Sequence, residues 1–181
     1  MNTPDHETVK LVAKQAVKTV YESLKVTHQE EFYYLALVTT GEALPPAFTA
    51  WSHEALKREA AKSSDGEAEY YLKWSYGESP YFCYQEDKFD ELREIFSQRP
   101  EMKTSMSKSE WLAEYDFRLN ALELALRELD QEGLFGVGES RNQIMINVEV
   151  VPPDWTNTER AKRLNPPSSL PLKEWLEEMA E

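Results

Sequence analysis

Glu31–Thr40 reads EFYYLALVTT, and Gly41 follows it. Aromatic and aliphatic strand formers occupy alternate and successive positions alike, so both sides of the pleat are apolar. A segment of this kind fits a central strand covered from both faces. The rest of the chain arranges itself around it. Ala43–Pro46 turns the chain, and Ala47–Trp51 is expected to return as a shorter strand antiparallel to the first. Ser52 can cap a helix over His53–Lys62, closed by Ser63–Gly66.

Upstream, Thr3 with Pro4 after it has the pattern of a helix start. Val9, Val12, Ala13, Ala16, Val17, Val20 and Leu24 then recur at helical spacing and form one apolar stripe, fading near Val26–His28. Downstream, Glu67–Tyr76 (EAEYYLKWSY) alternates: Tyr70, Leu72 and Trp74 against Tyr71, Lys73 and Ser75. This predicts a half-buried strand. After the turn Gly77–Pro80, a helix is expected over about Asp87–Gln98, burying Phe89, Leu92 and Phe96. Ser107 and Glu110 have capping-box spacing at the head of the longest helix, whose stripe runs Trp111, Tyr115, Leu119, Leu122, Leu126 and Leu129. Gly133 stands where a left-handed C-cap belongs. Ile144, Ile146, Val148 and Val150 alternate with Met145, Asn147, Glu149 and Val151, a strand ended by Pro152-Pro153. Thr156–Leu164 reads as a short helix and Asn165–Pro171 as a Pro- and Ser-rich linker. Leu172, Trp175, Leu176 and Met179 mark a last helix.

The element order α-β-β-α-β-α-α-β-α-α predicts an α+β fold: a small, mostly antiparallel sheet of about four strands packed with helices, the long helix preceding the last strand. Residues 1–153 are expected to form one α+β domain, with 154–181 a helical extension packed on it. At 181 residues, 41% hydrophobic and 12% aromatic, the chain can bury a core without disulfide or metal staples. No run approaches the ~18 apolar residues of a membrane span. The first residues lack the basic and apolar regions of a secretory leader, and the one cysteine, Cys83, suits a reducing cytoplasm. The net charge of −13 opposes nucleic acid and anionic membranes and speeds encounter with a basic partner. Solubility alone also accounts for it.

The candidate chemistries divide on local context. Gly133, Gly136 and Gly138 leave a helix C-terminus, where the dipole repels anions, so they read as a cap and turn rather than a phosphate loop. His6, His28 and His53 have no metal-ligand spacing, and no nucleophile elbow occurs; no cofactor or metal is implied. Cys83 between Phe82 and Tyr84 reads as a buried thiol. Asp87, Asp90, Glu91 and Glu94 read as a solvated helix face or as an acidic patch for a basic partner. Tyr70, Tyr71, Trp74, Tyr76, Tyr81, Phe82 and Tyr84 form an aromatic group too dense for one strand face. Core packing accounts for part of it, and the remainder is a candidate partner-binding surface. Arg141 can bind an anion or bond to carbonyls and hold its turn.

Three segments together carry a resemblance: Phe32–Thr40, Tyr71-Leu-Lys-Trp74-Ser75, and above all Ala125-Leu-Arg-Glu-Leu-Asp130-Gln-Glu-Gly133-Leu-Phe135-Gly136-Val-Gly138-Glu-Ser-Arg141, whose distinctive part starts at Leu129. The chain resembles the bacterial domain-of-unknown-function family forty-three-oh-three from about Glu31 to Pro153. In that family Trp74-Ser75 usually continues into a second tryptophan, where this chain has Tyr76-Gly77. The resemblance implies no activity and no catalytic residues. Through the family's association with contact-dependent toxin systems, it implies an immunity partner.

The sequence thus predicts a non-enzymatic acidic binding protein, an immunity protein contacting a basic toxin. The alternative is a small-molecule binder or enzyme whose site is assembled only in the fold. That alternative requires a deep aromatic pocket with a buried carboxylate or Arg141.

Overall fold

In the computed structural model, which describes residues 3–180, helix α1 (His6–His28) starts at Asp5 rather than at Thr3. The Asp5 carboxylate accepts from the Thr8 N–H at 2.8 Å and so satisfies a donor of the first turn, while Thr3 lies exposed outside it. The apolar stripe of α1 is buried at Val9, Ala13, Ala16, Val17, Val20 and Leu24.

Strand β1 (Phe32–Thr40) is buried at all but its last residue and occupies the middle of a three-stranded sheet. Strand β2 (Ala47–Ser52) pairs with it antiparallel, and β3 (Met145–Val151) pairs with it parallel. The fold is α+β, with the sheet mixed and one strand smaller than the sequence predicts. A parallel neighbour needs a crossover connection, and here helices α2 (His53–Ala60), α3 (Ala68–Leu72), α4 (Asp90–Ser97) and α5 (Lys108–Gln131) make it.

The missing strand is Glu67–Tyr76. Its central residues form α3 instead. The alternation of Tyr70, Leu72 and Trp74 misleads, because Trp74 also stands four residues after Tyr70 and three after Tyr71, the spacings of one helix side. Alanine, glutamate, leucine and lysine there favour helix over strand.

Helix α5 opens with the capping box of Ser107 and Glu110 and ends at Gly133, whose φ of +81° makes it the left-handed cap. α1 and α5 pack against each other, and α5 also runs against β3. Helix α6 (Trp155–Leu164) covers the open edge of β3. The Asn165 side chain accepts from Ile146 N–H at 2.8 Å and donates to Ile146 C=O at 2.7 Å; Asn157 does the same for Val150, at 2.8 and 3.0 Å. Arg160 donates to Val148 C=O at 2.7 Å. Side chains thus take the place of a fourth strand, and the edge offers no unpaired ladder. Helix α7 (Leu170–Glu178) buries Leu172 and Trp175. Among the described residues no helix is long and apolar enough to cross a membrane.

Candidate functional site: an aromatic cleft over a buried carboxylate

The register of the sheet sets up the site. Tyr34 lies opposite Met145, Ala36 opposite Asn147 and Val38 opposite Glu149, so Tyr34, Ala36, Asn147 and Glu149 share one face. Ala36 presents only a methyl group, which leaves the Tyr34 ring room to reach along the face. Its hydroxyl donates to Glu149 Oε1 at 2.9 Å, and Asn147 Nδ2 donates to the same oxygen at 3.4 Å. Burial first, and then the Glu149 carboxylate, push the Tyr34 phenol well above its usual range.

The chain from α3 to Tyr84 is pinned onto this face and onto the β2 edge. Trp51 Nε1 donates to Ser75 C=O at 2.8 Å, Thr49 Oγ1 to Tyr76 C=O at 3.0 Å, and Tyr33 OH to Lys73 C=O at 2.6 Å. Cys83 N–H donates to Phe48 C=O at 2.8 Å, and Ser79 Oγ bonds to Ala50 C=O. Trp74, buried beneath, meets Tyr33 and Tyr34 edge-on with ring centroids 5.4 and 5.8 Å apart. From the other side α7 reaches in. Trp74 Nε1 donates to Glu178 Oε2 at 2.5 Å, and Lys73 Nζ lies 2.9 Å from Glu174 and 3.0 Å from Glu178.

These contacts leave a cleft of about 260 Å³ between α3, the end of β3 and α7. Tyr70, Tyr71, Trp74, Tyr76 and Trp175 line it, with Glu149 as its carboxylate. Tyr70 and Tyr71 are exposed at its lip; Trp74, Trp175 and Glu149 are buried. Tyr33, near it, is also held far above the usual phenol range, by burial first and then by Glu174, Glu178 and Glu69.

The aromatic and acidic residues singled out in the sequence fall in three places. Tyr71, Trp74 and Tyr76 line the cleft. Tyr81 and Tyr84 do not. Tyr81 is buried, donates to Glu30 Oε2 at 2.5 Å and accepts from Arg58 at 3.2 Å. Tyr84 is half-buried beside His28 and Tyr81. Burial works against the charge of Glu30, but bonds from Ser52, Tyr81 and Arg58 outweigh it and hold the carboxyl below its usual range. This aromatic pair therefore belongs to a structural cluster around Glu30 and Arg58. Asp87, Asp90, Glu91 and Glu94 are exposed on α4 and the turn before it, away from the cleft lining. Two are offset locally, Asp87 by Lys88 at 2.5 Å and Asp90 by Arg93 at 2.6 Å.

Arg141 is buried where α5, β3 and α6 meet. It bonds to Asp130 through Nε, to Ile144 C=O at 2.7 Å, to Leu164 C=O at 2.9 Å and to Asn165 Oδ1 at 3.2 Å. The glycine turn bends sharply enough to deliver it. A Cβ on Gly136, at φ +109°, would meet Ser140 Oγ at 2.8 Å and Arg141 N at 3.0 Å. Cys83 is half-buried, and burial first, then Glu86, push its thiol up, away from an activated thiolate. Among the described residues no group of three or more His, Cys, Asp or Glu is gathered to hold a metal.

Sequence reasoning missed Glu149, Tyr34 and Trp175; Tyr70 enters it only as a member of the dense aromatic group. For Glu149 a signal existed: Asn147 and Glu149 stand two apart on one face of an otherwise apolar strand, which marks a buried polar pair. Trp175 gave none, since its place depends on how α7 docks.

Fold and site together define an α+β protein with an aromatic-lined cleft over a buried carboxylate. The chain belongs to the family described as Domain of unknown function (DUF4303), whose model matches residues 13–166. The match takes in the sheet, α5, the Arg141 turn and α6, and stops before α7. No curated protein and no solved structure matches the chain.

Proposed function

We propose that this protein is a non-enzymatic binding protein whose recognition site is the cleft between α3, the end of β3 and α7. The observation that carries this reading is the lining: five aromatic side chains around one carboxylate, Glu149. Apolar walls with a few placed polar groups are the usual make-up of a ligand site. Acid–base catalysis draws on two titratable groups with separated pKa values, whereas the lining carboxylate here is held by Tyr34 and Asn147 at one oxygen. A thermal-shift screen with small fragments tests the reading. A ligand at a hundred times its Kd stabilises the fold by about 2.7 kcal/mol, which raises Tm by about 5–10 °C for a chain of this length. Trp175→Ala removes that shift, while Trp155→Ala, at an exposed ring outside the cleft lining, keeps it. No shift with any fragment, or shifts indifferent to Trp175, would sink the proposal.

The net charge of −13 and the solvated carboxylates of α4 favour a second reading: a cytoplasmic immunity protein that occludes the active site of a basic toxin. Charge of this sign speeds encounter with a basic surface and makes association salt-sensitive. Affinity capture at low and moderate salt tests it. Asp90→Lys with Glu94→Lys weakens capture of a basic partner and flattens its salt dependence; unchanged capture removes α4 from consideration.

A further inference from the structure

We infer that the cleft recognises an organic cation, an alkylguanidinium or alkylammonium group, with Glu149 meeting the charge and Trp74, Tyr76 and Trp175 enclosing the alkyl body. This rests on the reading of the cleft as a binding site. The residues lining the cleft include one charged side chain, Glu149, and no lysine, arginine or histidine. An anion would be repelled there. A neutral apolar ligand brings no opposite charge to a carboxylate. A cation brings one, beside the bonds from Tyr34 and Asn147, through a charge-assisted contact strengthened because Glu149 is only 9% exposed.

The rings add a second attraction, since the face of a tryptophan or tyrosine carries negative potential. The protein already uses one of these rings in this way: Lys73 Nζ lies 5.0 Å from the centroid of Trp74, steadied by Glu174 and Glu178. Those two carboxylates against one lysine leave the α7 side of the site negative, and the net charge of −13 draws cations toward it. Size narrows the class. A cleft of about 260 Å³ lies just below the ~300–1,000 Å³ of pockets for drug-sized ligands, so it suits a group the length of a basic side chain rather than a nucleotide cofactor.

The test titrates the full chain calorimetrically with N-acetyl-arginine methylamide and with its uncharged isostere, N-acetyl-citrulline methylamide. The arginine compound is expected to bind at least about tenfold more tightly, the difference between a charged and a neutral hydrogen bond. Glu149→Gln, which can still accept from Tyr34, is expected to erase that preference. Tyr71→Leu, at an exposed ring whose loss leaves the core intact, is expected to weaken the arginine compound about threefold. Agmatine run in parallel distinguishes a free amine from a side chain within a protein, and preferential binding of either supports the proposal. Equal binding of the arginine and citrulline compounds overturns the cation while leaving the cleft as a ligand site. If neither binds at millimolar concentration but neutral fragments still give Trp175-dependent shifts, the cation alone is overturned. If no fragment shifts either, both readings fall.

Discussion

Glu114 is buried on α5 between two arginines. Arg99 approaches through Nε and Nη2 at 2.7 and 2.5 Å, and Arg118 through Nε at 2.7 Å. Burial alone would raise its pKa; the two guanidinium groups outweigh that and hold the carboxyl below its ordinary 4.5. A carboxyl depressed by folding stabilises the native state fully above its unfolded pKa, and the contribution is lost as pH falls through the folded value. Glu114→Gln is therefore expected to cost about 3 kcal/mol at neutral pH, because it strands two buried cations. It should also flatten the loss of stability below pH ~4.5. Urea unfolding of both proteins at pH 7 and in the acid range checks each part. Arg141→Lys belongs to the same scale. A lysine cannot span Asp130, Ile144 and Leu164 at once, and a loss of about 2 kcal/mol in the same assay is expected from the carbonyls left buried without donors.

The edge of β3 is where one element depends on another. Asn157 and Asn165 supply, from α6 and the residue after it, the donors and acceptors that a neighbouring strand would otherwise provide. Asn157→Ala removes two bonds to Val150 and one from Arg160. A loss of about 2 kcal/mol is expected, together with concentration-dependent association through the bared edge, read by light scattering. At the head of α5 the capping box is worth less: Ser107→Ala is expected to cost about 1 kcal/mol, all of it local.

For the whole molecule, the C-terminal helix decides the cleft without deciding the sheet. The core cluster is dominated by α1, β1, β2, α4, α5 and β3, to which α7 adds Leu172 and Trp175. Ending the chain at Ser168 is expected to leave a cooperative transition and the far-UV spectrum of the remaining helices, at a lowered Tm. It should abolish every cleft-dependent ligand shift, since Trp175 and the Glu178 partner of Trp74 leave together. A truncated protein that still binds would move the site away from α7.

Much of this architecture is legible in the sequence. The buried run Phe32–Thr40, the capping box at Ser107, the left-handed Gly133 and the alternating strand before Pro152 all depend on neighbours in the chain: local dihedral preferences, caps and side-chain periodicity act within a few residues. The misread segment, Glu67–Tyr76, is too short for periods of two and of 3.6 to separate, and its fate was set by bonds from Tyr33, Thr49 and Trp51 to its carbonyls. The same holds for the site. Tyr71, Trp74 and Tyr76 could be named from their density, but Glu149 lies some 70 positions along the chain and Trp175 farther still. Sequence by itself determined the helices other than α3, the three strands of the sheet, the turn chemistry and the net charge. Only the tertiary structure decided the parallel register of β3, the helical course of α3 and the meeting of five aromatic rings with one carboxylate, because a cleft is made by residues that no local preference brings together.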